Sequence, residues 1–309
     1  MLDKKILILN FDDSVAQQKE LLSRYEATII DLRDMGPRAR FWMKGNDRRE
    51  IERRIPPQKT GAVTFLGSGD FHHITDMLIR RHDEPISVID FDFHPDWDTI
   101  FPSLHCGSWV AHAMKNRRVL KLIMIGMSSR DLSPFALQTG DLASLREDRI
   151  EIYPYSRKPG IVLFRTVPAN ISFETKRYPF FTRICWNELK NKNITEFFLH
   201  VIRRLPTKKV YVTVDKDCLG TGDALTNWNQ GALPLDDLLT MLKLIKENLD
   251  IIGMDIVGDY SPIRIDGVVK NAVSRLNHPG KVAAAELQGP SICAVNKRTN
   301  LKILDLITS

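Results

Sequence analysis

Short, continuous apolar segments rich in β-branched residues recur along this chain and alternate with segments of helical periodicity. Eight of them predict strands: Lys5–Asn10, Ala27–Leu32, Ala62–Leu66, Ile86–Phe91, Leu120–Ile125, Ile150–Tyr153, Val210–Val214 and Ile251–Asp255. Uninterrupted apolar runs are typical of strands buried on both faces, as in a parallel sheet. The alternation therefore predicts an α/β fold, a three-layer α/β/α sandwich with a mainly parallel central sheet of about eight strands.

Helical periodicity appears in the segments between these strands. We predict helices over Ser14–Tyr25, Ile74–Arg81, Ser108–Asn116, Thr195–Arg204 and Leu235–Asn248. The last is the clearest, because Leu235, Leu238 and Leu242 fall on one apolar stripe. Since no repeat or Gly/Ser linker divides the chain, we expect residues 1–309 to form a single α/β domain. Ligands of such sheets bind beyond the carboxyl ends of the strands, where we expect the functional residues.

Two regions depart from this alternation. The segment from Gly36 to Gln58 is rich in Arg, Lys and Pro, and we interpret it as a basic excursion with one short helix. The segment from Tyr153 to Asn193 is too long for an ordinary connection between a strand and a helix. It either lines or covers a pocket or forms an additional hairpin, and the sequence favours neither interpretation.

Charge and composition exclude several classes of protein. Apolar residues make up 43% of the chain and charged residues 27%, which is typical of a soluble globular protein. The net charge is +6, but the basic residues are scattered as short pairs such as Arg80-Arg81, so we expect no nucleic-acid partner. No apolar run approaches the ~18 residues of a membrane helix, so we expect no membrane partner. Four widely spaced cysteines without a C-x-x-C pair favour a reduced, cytoplasmic protein.

The most informative motif directly follows the fourth predicted strand. It places Asp92, His94 and Asp96 at alternate positions, with Asp98 two residues further on. In an extended chain alternate side chains point the same way, so the first three can converge on one point. Carboxylates packed together against a core repel one another unless a cation lies among them. The motif therefore predicts a metal site; the alternative is a polar turn in which an aspartate caps the next helix.

A second acidic motif follows the Val210–Val214 strand. Asp215 and Asp217 are two residues apart, and this pair alone is a weak signal because capping aspartates are common. Together with the first motif it predicts a site for two metal ions at the carboxyl ends of strands. Oxygen ligands combined with imidazole favour two Mn²⁺ ions per chain, with Zn²⁺, Mg²⁺ and Fe²⁺ as alternatives.

Histidines lie near other strand ends. His72 and His73 follow a glycine-containing loop after the third strand, and one of the two is expected to complete the shell of one metal. His105 lies just before a predicted helix, a few residues beyond the first acidic motif. It is either a proton carrier or a partly buried structural residue.

Taken together, these motifs resemble those of the arginase/agmatinase/formiminoglutamase superfamily, the ureohydrolases. The matching elements are a Gly-rich loop with histidine, a strand followed by D-x-H-x-D, a histidine before a helix, and a later strand followed by D-x-D. Residues 253–262, Gly-Met-Asp-Ile-Val-Gly-Asp-Tyr-Ser-Pro, match a further family element. The elements occur in the family's order over roughly residues 5–262, and on this resemblance the chain is identified as a divergent member.

The resemblance implies a binuclear manganese centre with the ligands His72, Asp92, His94, Asp96, Asp215 and Asp217. Asp92 and Asp215 would bridge the two ions. A metal-bridging hydroxide would attack a planar carbon of the substrate, and His105 would assist proton transfer. Two cations suit this chemistry, because they lower the pKa of bound water and stabilise a tetrahedral intermediate. Relatives form trimers and hexamers, so the resemblance also implies a homo-oligomer.

The departures from the family pattern concern the substrate. Asp98 stands where the family usually has an asparagine that contacts substrate, so we include it among the candidate catalytic residues. Gly258 occupies the position of the glutamate that holds a guanidinium group, which leaves its neighbour Asp259 as the candidate for that role. Since a guanidinium requires a fixed bidentate carboxylate, we do not expect arginine to be the substrate.

The sequence thus predicts a metal-dependent hydrolase that cleaves a C–N bond in a small guanidino, formimino or amide compound. The basic net charge around a site that also holds two cations favours an anionic substrate. One alternative is a deacetylase-like amidohydrolase with a single zinc ion. The other is a degenerate metal-binding protein without turnover.

Overall fold

The central sheet confirms the predicted fold class. The computed structural model describes residues 5–57, 61–100, 104–278 and 289–309. Eight parallel strands lie in the order β2-β1-β3-β11-β10-β4-β5-β6. Their bounds are β1 Lys5–Asn10, β2 Glu26–Asp31, β3 Val63–Gly67, β4 Ile86–Phe91, β5 Val119–Gly126, β6 Ile150–Pro154, β10 Lys209–Asp215 and β11 Asp250–Val257. Every predicted strand is present, and each bound differs from its predicted position by at most two residues.

Helices cover both faces of this sheet. Alternate residues of β1 belong to different apolar clusters, as expected for a strand buried on both sides. One cluster contains helices α2 Gly36–Ala39, α3 Gly45–Arg54, α4 Ile74–Ile79, α5 Trp109–Met114 and α6 Leu142–Arg146. The other contains α1 Lys19–Arg24, α7 Ile194–Arg203, α8 Leu235–Asn248 and α10 Gly289–Thr308. This is the three-layer sandwich that the strand–helix alternation predicts.

Some helices differ from their predicted bounds. Helix α1 begins at Lys19 rather than Ser14, because the Asp12 carboxylate accepts hydrogen bonds from both the backbone and the hydroxyl of Ser14 and holds a turn there. Helix α8 has the predicted bounds. Helix α9, Val268–Asn277, and the 20-residue helix α10 were not predicted. Glu286, which the sequence suggests for a helix surface, lies outside the described residues.

The two irregular regions have different structures. The segment from Gly36 to Gln58 contains two helices, α2 and α3, rather than one. The segment from Tyr153 to Asn193 forms a separate antiparallel sheet from β7 Gly160–Leu163, β8 Phe173–Arg177 and β9 Phe181–Trp186, in the order β7-β9-β8. Of the two interpretations of that segment, the hairpin is therefore the correct one. Among the described residues, no helix is both long enough and apolar enough to cross a membrane.

Candidate metal centre

The two acidic motifs meet at the carboxyl edge of the sheet, because β4 and β10 are neighbours. Val214 pairs with Phe91, so Asp92 and Asp215 leave the sheet side by side. Two groups of potential ligand atoms result, one from His72, Asp92 and Asp96 and the other from Asp92, His94 and Asp217. Within each group the atoms lie within 4.8 Å of one another. Asp92 belongs to both groups.

His72 lies at the centre of the first group. Its Nδ1 atom is 3.1 Å from Oδ2 of Asp92, 3.2 Å from Oδ2 of Asp96 and 3.7 Å from Oδ2 of Asp215. Asp96 reaches this position through a left-handed backbone conformation, with φ of 42°. Such a conformation is unfavourable for a non-glycine residue and is found where the surrounding structure requires it.

A buried chain of hydrogen bonds orients the His72 ring. The Thr213 hydroxyl donates to Oδ1 of Asp255 at 2.6 Å, and the Tyr211 hydroxyl donates to Oδ2 of the same carboxylate at 2.8 Å. Because Thr213 has a single hydroxyl hydrogen, its oxygen accepts from Nε2–H of His72 at 3.0 Å. In this network Nε2 of His72 carries the hydrogen, so the lone pair of Nδ1 faces the carboxylates. A histidine metal ligand that is supported by outer-shell partners has the same arrangement.

The second group is built around His94. Its Nδ1 atom lies 2.8 Å from Oδ2 of Asp217 and 3.8 Å from Oδ1 of Asp92. Backbone amides hold both carboxylates: Phe93 donates to Asp217 at 3.0 Å and His94 donates to Asp92 at 2.7 Å. The amide of Asp217 donates to Oδ1 of Asp215 at 2.9 Å. These bonds fix the carboxylates without supplying a positive charge.

The electrostatics of the cluster favour the binding of a metal cation. Burial, together with the charges of neighbouring aspartates, raises the pKa values of Asp92, Asp215 and Asp217 to about 7. Burial also raises the pKa of Asp96 to about 6. Nδ1 of His72 and Oδ2 of Asp92 are buried and make no hydrogen bond to the described residues. Mixed carboxylate and imidazole donors without a lysine or arginine partner among the described residues fit a divalent metal ion.

His72 rather than His73 lies beside the carboxylates. The His73 ring is fully buried next to helix α4, and it belongs to neither group of ligand atoms. Burial lowers the pKa of His73 to about 3, so its ring is neutral. Matching the sequence to the family pattern favoured His72, although both histidines follow the same glycine-containing loop, and the geometry agrees with that choice.

His105 and Asp98 line the cavity above the cluster. Nε2 of His105 is 3.7 Å from Oδ2 of Asp98, and both side chains are partly exposed. The His105 side chain also accepts a hydrogen bond from the backbone of Ser108, at the start of the helical turn that leads into α5. Burial lowers the pKa of His105. One ring nitrogen of the neutral imidazole accepts from Ser108, so the other carries the hydrogen and can donate to a group in the cavity.

Asp259 lies elsewhere, which corrects its assignment as a residue that contacts substrate. Its carboxylate is buried and forms an ion pair with Nζ of Lys216 at 2.7 Å. It does not line the cavity. Gly258 has φ of +89°, and a Cβ atom there would lie 2.4 Å from Oδ1 of Asp215. The close approach of β11 to the acidic motif after β10 therefore leaves no room for a glutamate at position 258.

The cavity above the cluster has a volume of about 550 Å³. Its lining includes four aromatic side chains, those of Phe41, Trp42, Trp97 and Trp228. Six aspartates and two histidines also line it, and no lysine or arginine does so within the described ranges. This lining does not support the expectation of an anionic substrate, because net charge describes the whole surface and not the site. Phe41 and Trp42 lie in the basic excursion, which the sequence did not mark as part of the site.

No protein-family model matches this chain. Curated relatives are similar to it over different lengths. An uncharacterized protein of Thermotoga maritima is 26% identical over 264 residues, which is 85% of this chain and 83% of that protein. An arginase of Glycine max is 29% identical over 182 residues, or 58% of this chain. The aligned part is 40% of that arginase.

A solved structure aligns over the whole chain. The arginase of Entamoeba histolytica, solved in complex with L-ornithine, superimposes with a TM-score of 0.58 over 100% of this chain and 99% of that one. The chain has the ureohydrolase fold. At 11% sequence identity this likeness shows the fold alone. Together with the arginase relative, it confirms the resemblance to the ureohydrolase superfamily that the motifs predict.

Proposed function

We propose that this protein is a binuclear-metal hydrolase of the ureohydrolase type that cleaves a C–N bond in a small molecule. The observation that carries the proposal is the sharing of Asp92 between two groups of ligand atoms, one with His72 and one with His94. A single-zinc deacetylase-like site needs only one such group. The ureohydrolase fold of the chain is consistent with the proposal.

In this proposal His72 and Asp96 would hold one ion, and His94 and Asp217 the other. Asp92 and Asp215 would be shared between them. Oxygen ligands with one imidazole for each ion suit Mn²⁺ best. When bound, such a pair of ions lowers the pKa of water and polarises the group under attack.

The protein side chains around the cluster would transfer protons and orient the metal ligands. His105 lines the cavity, and it would take up a proton at the nitrogen that accepts from the Ser108 backbone, with release of that hydrogen bond. Asp98, 3.7 Å away, would stabilise the protonated form of that ring. The hydrogen bonds from Thr213 to Asp255 and from His72 to Thr213 would keep His72 in the tautomer that a metal ion requires.

The substrate we propose is a guanidino, formimino or amide compound other than arginine. The position of Gly258 cannot accept the side chain of a glutamate, and Asp259 is occupied by Lys216. The site therefore lacks, among its described residues, the fixed carboxylate at this strand end that a guanidinium of arginine would need.

Metal analysis combined with a hydrolysis screen tests the proposal. Protein stripped with a chelator and reloaded with Mn²⁺ is expected to hold close to two ions per chain and to hydrolyse at least one guanidino, formimino or acetamide compound. His94→Ala should abolish this activity, whereas His200→Ala, on the exposed surface of α7, should leave it unchanged. One zinc ion per chain would favour the deacetylase-like alternative. Two ions without hydrolysis of any compound would favour a binding protein without turnover.

A further inference from the structure

Aromatic side chains form a continuous wall on one side of the cavity. The Phe41 ring lies 5.1 Å from the ring of Trp42 and stacks on Trp228 at 5.8 Å, with an interplanar angle of 16°. Trp228 in turn meets the edge of the His94 ring at 5.7 Å. The wall therefore runs from the outer cavity down to a proposed metal ligand.

The backbone under this wall is held in place by buried groups. Phe41 has φ of +72°, a left-handed conformation that is unfavourable for an aromatic residue. Its amide donates to the carbonyl of Asp70 at 3.0 Å, and its carbonyl accepts from the amide of Cys106 at 3.0 Å. The buried guanidinium of the preceding residue, Arg40, binds the Asp70 carboxylate at 2.8 Å. Strain of this kind is typical of positions where a side chain must be presented to a ligand.

The charge of the cavity is negative beyond the metal ligands. Two divalent ions would balance the four aspartates proposed to bind them, which leaves the carboxylates of Asp98 and Asp131 in the lining. Asp131 is exposed and lies within the electrostatic range of Arg157, so Asp98 is the carboxylate with which a bound cation would pair. The ammonium of Lys270 donates to the carbonyls of Arg38 and Trp42 and lies 5.4 Å from the centre of the Trp42 ring, so a cation of this chain already contacts the outer end of the wall, although Lys270 does not line the cavity.

We propose that the aromatic wall and Asp98 form a subsite for an organic cation. The substrate would then carry an apolar or aromatic frame that ends in a positive charge, attached to the C–N group that is hydrolysed, and would lack a carboxylate on that frame. Aromatic faces attract cations and bury apolar frames, and a carboxylate beside them favours an ammonium group and repels an anion. This inference specifies the substrate class of the proposed hydrolase and rests on that proposed function.

Binding of product-like amines tests the subsite without turnover. The probes are a phenylalkyl diamine and the amino acid with the same frame and a carboxylate in place of one amine, titrated calorimetrically into the Mn²⁺-loaded protein. We expect the diamine to bind at least about tenfold more tightly. Asp98→Asn should reduce this preference about tenfold, and the control Asp83→Asn, 90% exposed on a distant surface, should leave it unchanged. Equal binding of the two probes, or tighter binding of the amino acid, would overturn the inference.

The wall is tested by a pair of substitutions at its outer end. Trp42→Ala should weaken diamine binding about fivefold, while Trp42→Phe should retain most of it, because the phenyl ring preserves an aromatic face. Circular dichroism would confirm that both variants fold. If both variants bind the diamine as tightly as the parent protein, Trp42 does not belong to the subsite and the proposal is contradicted.

Hydrolysis of matched substrates separates the inference from the proposed function. Guanidine, formamidine and acetamide derivatives of the diamine are compared with the same derivatives of the amino acid. A kcat/KM at least about tenfold higher for the diamine series supports the inference. Hydrolysis that favours the amino-acid series overturns it while the proposed function stands. Hydrolysis of neither series, with preferential diamine binding intact, rejects the proposed function and leaves the cation subsite supported.

Discussion

Two sets of buried carboxylates lie at the same edge of the sheet and differ in how their charge is balanced. The ligand cluster comprises Asp92, Asp96, Asp215 and Asp217, and the paired carboxylates are Asp70 and Asp259. Asp70 binds the Arg40 guanidinium at 2.8 Å and Nε2 of His278 at 2.7 Å. Burial alone would raise the pKa of Asp70, but these two partners lower it to about 2.

Asp259 shows the same principle on the other side of the ligand cluster. Its carboxylate accepts from Nζ of Lys216 at 2.7 Å and from the side chain of Gln18 at 2.8 Å. The Lys216 ammonium also donates to Asn300 at 2.9 Å, so the cation is satisfied as well. Asp70 and Asp259 each have a cation supplied by this chain, whereas the ligand cluster has two imidazoles and no lysine or arginine partner among the described side chains.

The comparison indicates that the fold pairs buried carboxylates at this edge with a lysine or an arginine and does not do so in the described part of the ligand cluster. Buried carboxylates without a lysine or arginine partner are costly, and burial with mutual repulsion raises the pKa values of Asp92, Asp215 and Asp217 to about 7. The paired carboxylates are therefore expected to contribute to stability, and the ligand cluster to metal binding at the expense of stability. The following substitutions and conditions test that difference.

The largest effect is expected at Asp92, which both groups of ligand atoms share. Asp92→Asn should reduce metal content from about two ions to fewer than half an ion per chain and lower any hydrolytic activity at least ~10³-fold. The metal-free variant should unfold at a higher temperature than the metal-free parent at pH 8, because one repelling buried charge is gone. Elemental analysis, rate assays and calorimetry measure these changes. Unchanged metal content would reject the ligand assignment.

Lys216→Met tests the paired carboxylates, since it leaves Asp259 buried without a cation. We expect the free energy of unfolding to fall by about 3–5 kcal/mol, measured by denaturant titration. Lys216→Met combined with Asp259→Leu should recover most of that loss, because no uncompensated charge remains. A double variant as unstable as the single one would show that the ion pair is not the source of the effect.

The stability of the metal-free protein should fall as pH rises from 5.5 to 8.5. The pKa values of Asp92, Asp215 and Asp217 are raised to about 7, above those of an unfolded chain, so the folded state binds more protons over much of this range and loses stability as they leave. Asp217 likewise raises the pKa of His94 to about 10, against the effect of burial. We expect a decrease in melting temperature of roughly 5 °C.

Metal binding should remove most of this pH dependence. Mn²⁺ replaces the protons of its ligands, so the melting temperature of the loaded protein should change little with pH, and the difference between loaded and metal-free protein should widen toward pH 8.5. Differential scanning calorimetry of both forms measures this difference. A constant difference across the range would contradict proton-coupled metal binding.

The smallest effect is expected from Thr213→Val, which removes the oxygen that accepts from Nε2–H of His72 while preserving side-chain shape. Metal affinity should fall about tenfold, because an outer-shell partner of a ligand is lost. Competition with a chelating dye measures that affinity. Thr182→Val, at a buried threonine on β9, is the matched control and should leave it unchanged. Equal affinities in both variants would show that Thr213 does not support His72.

Much of the fold was readable from local patterns. Continuous apolar runs such as Ile86–Phe91 marked all eight strands of the sheet, since burial on both faces leaves that signature in a short window. Helix α8 was equally clear from its apolar stripe. Helix α10 was missed, and it packs in the same apolar cluster as α8, where tertiary contacts contribute more than its own periodicity.

The sequence by itself determined that acidic residues follow two buried strands and that a histidine loop follows a third. These are local properties, because side-chain alternation and strand ends depend on adjacent residues only. The pairing of β4 with β10, which brings Asp92 beside Asp215, was decided by the tertiary structure. So was the ion pair between Asp259 and Lys216.

The aromatic wall was also decided by the tertiary structure. Phe41 and Trp228 are distant in the chain and meet because separate loops pack over the same sheet edge. Spacing along the chain specifies which side chains share a face of one element, whereas contacts between elements depend on how those elements pack. For this protein, sequence spacing indicated a metal-dependent chemistry, and packing supplied the negatively charged, aromatic cavity from which its substrate class is inferred.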